Sequence, residues 1–341
     1  MTVTGSKYAV VRNDAATSRL ASHSRVFAYG SMRNGLFART EKSSRIIPRM
    51  DRLTFLACSL AGIGSFPDPG FAAEGLTAFS RLESSGGGRL GVAALATGSR
   101  KTVGYRENER FAMLSTFKFA LCANVLQRVD SGAEALTRRV AYGASDLLHY
   151  APVTRAHVAQ GGMTVEALCA AAMEHSDNTA ANLLLASVGG PTRLTHFVRA
   201  LGDSTTRFDR TEPTLNTAIP GDERDTTTPR AMLALMHRIL LGGHVLSEAS
   251  RARLNGWLAA NTTGETRLRA GLPKDWRVGD KTGTGDNGAS NDIAIVRPPG
   301  REPLLVVAFS AYAPGPQQRR DATIAEVAKI VAQTLEQRKG R

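Results

Sequence analysis

The chain has 341 residues, of which 42% are hydrophobic and 21% charged, enough to bury a sizeable core and too apolar for wholesale disorder. No apolar stretch reaches the ~18 residues that a membrane-spanning helix needs. The net charge is +13, but six of those charges fall in the first 73 residues, and no Lys/Arg run is interleaved with aromatics. A solvated basic surface therefore accounts for the charge, and a nucleic-acid partner is not expected.

Residues 1–49 are polar, rich in Ser and Arg and without periodicity, and read as a disordered or mis-assigned extension. Arg49 and Arg52 then flank Met50 and Asp51 ahead of an apolar run at 53–66, followed by Pro67-Asp68-Pro69-Gly70 and Phe71-Ala72-Ala73. A charged start, a short apolar stretch and small residues near a cut site describe a secretory signal peptide over 50–73. It makes Met50 a candidate true start and the protein an exported, periplasmic or secreted one. Cys58 is a candidate for lipid modification, although Phe55 is a poor residue three places before it.

Beyond residue 74, the pattern of 88–96 predicts a strand, with Thr97-Gly98 turning the chain toward a returning strand at 101–105. Helical spacing runs through 115–129. Thr164 caps a second predicted helix over 164–174, and Pro229 opens a third over 229–241. Strands are predicted at 281–284, 292–296 and 304–312, and an amphipathic helix at 324–335. The fold class is mixed α/β (α+β): an antiparallel sheet built from both termini and flanked by helices, with an inserted all-helical subdomain. The expected division is an α/β part at 74–112 and 258–341 and a helical part at 113–257, with the active site between them.

Three short segments carry candidate chemistry. In Ser115-Thr116-Phe117-Lys118 the hydroxyl and the amine are three apart, hence on one helix face. A serine needs a neighbour to take its proton, and a desolvated lysine can serve. Ser176-Asp177-Asn178 groups a hydroxyl, a carboxylate and an amide on a turn. Lys281-Thr282-Gly283-Thr284 offers a cation, two hydroxyls and a glycine that permits close approach on an edge strand. Singly these are a surface helix pair, an Asx-type helix exit and a polar strand. Together, in this order, they are the motif set of class A β-lactamases and penicillin-binding proteins.

The sequence resembles a class A serine β-lactamase over about residues 76–338. Residues 210–216 (Arg-Thr-Glu-Pro-Thr-Leu-Asn) are similar to the family's omega loop, which an ion pair from Arg210 to Asp225 would close. Tyr150-Ala151-Pro152 resembles a cleft wall, Arg269 and Asp280 an internal pair, and Cys122 and Cys169 a disulfide found in part of the family. A bridge between those cysteines suits an exported protein.

The resemblance implies that Ser115 attacks the β-lactam carbonyl of penicillins and cephalosporins. The backbone N–H groups of Ser115 and Thr284 would stabilise the oxyanion, with Lys118 or Glu212 taking the serine proton. Ser176 would pass a proton to the lactam nitrogen, Asn178 would hold the substrate's side-chain amide, and Glu212 with Asn216 would activate the deacylating water. Lys281, Thr282, Thr284 and Arg267 would receive the substrate carboxylate, with Gly283 admitting the strand and Tyr150 walling the cleft. No metal, cofactor or partner beyond the small-molecule substrate is implied, and a monomer is expected. Leu114 departs from the small or sulfur residues common before the nucleophile, and Gly285 removes the extra active-site disulfide of carbapenem-hydrolysing members. The alternatives are a penicillin-binding transpeptidase or carboxypeptidase, a serine-dependent glutaminase, and an inert β-lactam sensor.

Overall fold

The computed structural model describes residues 69–336. The extension at 1–49, Cys58 and most of the expected signal peptide lie outside them. Residues 69–73, assigned to that peptide from sequence, begin helix α1 (Pro69–Gly86).

Strands β1 (Arg89–Ala96) and β2 (Thr102–Tyr105) form the hairpin foreseen at this end. A two-residue strand β3 (Phe111–Ala112) leads to a single 3-10 turn at Leu114–Thr116, and helix α2 (Phe117–Asp130) follows. Residues from Phe117 to Leu126 are all buried, Lys118 and Asn124 among them, so α2 is enclosed all round and sits at the centre of the helical part. Strand β4 (Arg139–Ala141) and the short helix α3 (Pro152–Ala156) precede β5 (Gly162–Thr164), which pairs with β4.

Helix α4 (Val165–Glu174) is capped by Thr164, whose side chain accepts from Ala167 N at 3.2 Å. Helices α5 (Asn178–Ser187) and α6 (Gly190–Ala200) come next, then β6 (Thr226–Thr227), which pairs with β3. Helix α7 (Pro229–Leu240) has Thr228 as its cap and Pro229 in its first turn, and α8 (Glu248–Ala259) is capped by Ser247. The one-turn α9 (Leu268–Gly271) precedes strands β7 (Arg277–Thr284), β8 (Ser290–Arg297) and β9 (Leu304–Ala311) and the final helix α10 (Gln317–Glu336).

The main sheet is antiparallel, in the order β2-β1-β9-β8-β7, so the N-terminal hairpin is stitched to the C-terminal strands through β1 and β9. Successive strand residues point to opposite faces. Ile293, Ile295, Leu305, Val307 and Phe309 join the core shared with the helical part. Ala294, Val296, Leu304, Val306 and Ala308 join a second core with Phe79 of α1 and Ile324, Val327 and Val331 of α10. Both faces of β8 and β9 are covered, which explains their near-continuous apolar sequence. β7 is left as an edge beside the 3-10 turn that carries Ser115. Among the described residues, no helix is long and apolar enough to cross a membrane.

Candidate active site

Ser115 lies in the 3-10 turn at the head of α2, and Leu114 before it has φ = 52°, a left-handed value that side chains rarely adopt. Leu114 is buried against Ala218 and Ala289 and is held there by packing. Asn291 of β8 fixes the same stretch, its amide donating to the carbonyls of Ala112 (2.7 Å) and Met113 (3.0 Å). Gly283 of β7 lies against this turn. A Cβ there would stand 2.8 Å from Leu114 Cβ and 3.1 Å from Ser115 N, so only glycine lets the edge strand approach the nucleophile.

Lys118, the second residue of α2 and one turn after Ser115, is fully buried and donates to Ser115 Oγ at 2.9 Å, Ser176 O at 2.7 Å and Asn178 Oδ1 at 2.7 Å. Its Nζ is also 3.1 Å from Glu212 Oε1 and 3.2 Å from Ser176 Oγ. An ammonium has three hydrogens for these five oxygens. Burial pushes the Lys118 pKa down, and the Glu212 charge opposes that shift.

Glu212 is 3% exposed. Its Oε1 is 3.4 Å from Ser115 Oγ, and its Oε2 accepts from Asn216 Nδ2 at 2.5 Å. Its backbone is gripped at both ends by Asn182 of α5: Glu212 N donates to Asn182 Oδ1 and Asn182 Nδ2 donates to Glu212 O, each at 2.9 Å. The loop carrying Glu212 is pinned by Arg210 and Asp225, with Nε to Oδ2 at 2.6 Å and Asp225 Oδ1 accepting from Asp209 N and Arg210 N. Asp222 gives Arg210 a second carboxylate at 3.6 Å.

Ser176, at φ = 56°, occupies the turn between α4 and α5. Asp177 holds that turn, accepting from Ala180 N as the cap of α5 and from Val153 N, Thr154 N and Thr154 Oγ1 of α3. Ser176 Oγ receives a hydrogen bond from Lys281 Nζ at 3.1 Å, which joins the helical part to β7. Lys281 is fully buried. Its pKa is lowered to about 7 by burial and then by the neighbouring Lys118 charge. Thr282 bonds Thr263 (Oγ to Oγ 2.5 Å), whose Oγ1 donates to Asn261, which in turn reaches Asp280, the partner of Arg269. Tyr150 is 49% exposed, and its carbonyl accepts from Asn178 N at 3.1 Å, which sets the wall beside the cleft.

The structure brings Ser115, Lys118, Ser176, Asn178, Glu212, Asn216 and Lys281 into one hydrogen-bonded cluster. Arg267 is different from the sequence expectation of a cation open to substrate. It is 4% exposed behind β7, where Nε meets Asp321 at 2.7 Å, one terminal nitrogen donates to Gly283 O and Asn291 O, and the other to Thr284 Oγ1 at 2.6 Å. Its reach into the cleft therefore passes through Thr284. The disulfide implied by the resemblance is not formed: Cys122 and Cys169 are buried free thiols, although Cys122 Sγ lies 3.9 Å from the Cys169 carbonyl oxygen. Asn182, Asn291 and Thr263 were given no role from sequence, and Asp177 was read only as the carboxylate of its turn. Only Asn182 carried a signal, being four residues after Asn178 and so on the same helix face.

A glutamate held against a Ser/Lys pair distinguishes a hydrolase from a protein that merely acylates. The profile of the Beta-lactamase enzyme family matches residues 76–335. The chain is 47% identical to β-lactamase CTX-M-8 of Citrobacter amalonaticus, over 84% of this chain and 97% of that protein. It is 51% identical to β-lactamase Toho-1 of Escherichia coli, over 73% and 85% respectively. The chain belongs to the class A β-lactamases. A solved class A β-lactamase described as the last common ancestor of Gram-negative bacteria superposes with a TM-score of 0.75 at 56% identity, covering 77% of this chain and 99% of that one. The mixed α/β architecture with its antiparallel sheet is the fold of this class, and the protein is a β-lactam hydrolase.

Proposed function

We propose that this β-lactamase opens penicillins and cephalosporins by a two-step route through Ser115. Lys118 or Glu212 takes the Ser115 proton as Oγ attacks the lactam carbonyl. The backbone N–H groups of Ser115 and Thr284 stabilise the oxyanion, each donor contributing on the order of 10²–10³ in turnover. Ser176, bonded to both Lys118 and Lys281, passes a proton to the lactam nitrogen as the C–N bond breaks. Asn178 receives the substrate's side-chain amide beside Tyr150. Lys281, Thr282 and Thr284 receive its carboxylate, with Arg267 orienting Thr284 from behind.

Glu212 then activates the water that clears the acyl-enzyme. The observation that carries this reading is the 3.4 Å separation of Glu212 Oε1 from Ser115 Oγ, within reach of one bridging water. Asn216 is suited to share that water: its Nδ2 is bound to Glu212, and its buried Oδ1 has no hydrogen-bond partner among the described residues. The same proximity disfavours a penicillin-binding transpeptidase, whose acyl-enzyme must persist. The reading also covers an exported monomer, with a signal peptide at 50–73, the two-part domain division, and closure of Cys122 with Cys169 in an oxidising compartment. Ser115→Ala in the mature chain should abolish turnover of a chromogenic cephalosporin while leaving thermal unfolding intact. Turnover surviving in the folded variant would refute the nucleophile.

A further inference from the structure

Behind β7, on the side away from Ser176, four ionisable groups share a dry wall with Asp292. Strand register sets Asp292 of β8 opposite Thr282, so it occupies the same sheet face as Asp280, two residues back on β7. Two cations face this wall, and each already has a carboxylate. Arg269, just after the loop that enters α9, pairs with Asp280. Arg267, which caps α9, pairs with Asp321 of α10 and spends its other nitrogens on Gly283, Asn291 and Thr284. Lys281 alternates to the opposite face of β7, where its hydrogen bonds go to Ser176 and to Thr282 O.

Asp292 is thus the carboxylate left over. It is fully buried, its Oδ2 accepts one hydrogen bond from Leu268 N at 3.1 Å, and its Oδ1 has no partner among the described residues. An ionised carboxylate with a single neutral donor, beside a second carboxylate, is among the costliest groups a protein can bury, and taking up a proton removes the cost. We infer that Asp292 is a neutral carboxylic acid in the folded enzyme, holding its proton across the working pH range, so that it adds no charge to the surroundings of Lys281. Burial, then the Asp280 charge, drive the Asp292 carboxyl well above the usual carboxylate range, with Arg267 opposing, in agreement with the geometric count.

Asp292→Asn is the test, because asparagine keeps an acceptor for Leu268 N and replaces the acid O–H with an N–H of similar size. An acid whose folded pKa is raised favours folding fully only below its unfolded value, near 4, and loses that contribution as pH rises toward the folded value. Urea unfolding from about pH 5 to about pH 9 should therefore show the folded-to-unfolded ratio of wild type, relative to Asp292→Asn, falling about tenfold per pH unit. A ratio that stays flat, or a variant less stable than wild type at the alkaline end, would overturn the inference. Infrared spectra of the native enzyme at neutral pH should contain a protonated-carboxyl band that the variant lacks, and its absence from wild type would refute the proposal without reference to the variant. A kinetic arm rests on the assignment of Lys281 to the substrate carboxylate: the alkaline limb of kcat/KM should coincide in the two enzymes. An acid-ward shift in the variant would mean that a charge near Lys281 had been removed. Failure of the Lys281 assignment would abolish the limb in both enzymes and leave the unfolding result intact.

Discussion

Replacing Asp225 with alanine separates the loop that carries Glu212 from the rest of the site. Asp225 accepts three hydrogen bonds, from Asp209 N at 2.8 Å, Arg210 N at 2.9 Å and Arg210 Nε at 2.6 Å. Its side chain is 4% exposed and that of Arg210 17%. Removing one partner of a buried pair costs about 3–5 kcal/mol, because the other is left unpaired. Here Arg210 retains Thr217 Oγ1 at 3.0 Å and Asp222 at 3.6 Å, and the two freed N–H groups lie on a loop that can rehydrate. The low end applies, about 3 kcal/mol, and at roughly 2–4 °C per kcal/mol the Tm should fall by about 6–12 °C. Function should suffer selectively. Ser115 sits in the 3-10 turn before α2 and Lys118 in the first turn of α2, both outside the loop, whereas Glu212 is two residues from Arg210. A displacement of ~1 Å at a reacting group can cost about 100-fold. Stopped-flow turnover of a chromogenic cephalosporin should show deacylation slowed about 10-fold or more, with acylation slowed far less. An unchanged Tm, or equal losses in both steps, would refute this account of the loop.

The pH profile and the thiols give two further tests. Lys281 titrates at about 7, so it is charged below that pH and loses its charge as pH rises through it. KM for a carboxylate-bearing penicillin should rise on the alkaline side with kcat less affected, and a KM flat to high pH would refute the role. For enzyme exported into an oxidising compartment, non-reducing peptide mapping should link Cys122 to Cys169. Two free thiols in that material would exclude the bridge, leaving burial as the reason the Cys169 thiol is held well above its usual range.

Local signals carried far in this chain. Thr164, Thr228 and Pro229 mark helix starts by their own chemistry, and the apolar runs of β8 and β9 follow from burial on both faces. The Ser115–Lys118 spacing places both groups on one face without any tertiary information. Helices α5, α6 and α8 were not anticipated, because their limits depend on packing against distant elements. Arg267 shows the same boundary. The family resemblance implies a carboxylate binder, but whether an arginine stands in front of an edge strand or behind it depends on α10, whose Asp321 draws the guanidinium to the rear. The short separation of Glu212 from Ser115 likewise depends on Asn182, an interaction across thirty residues whose partner the helical spacing of Asn182 from Asn178 does not name.

The most direct test of the mechanism is mass spectrometry of Glu212→Gln enzyme mixed with a penicillin. Glutamine keeps the size of the side chain and removes its basicity, so Ser115 should still acylate and the ester should persist. The account predicts an accumulating adduct of intact penicillin mass on the peptide that contains Ser115. A variant that clears the drug at the wild-type rate with no adduct, or whose adduct sits on another residue, would contradict it.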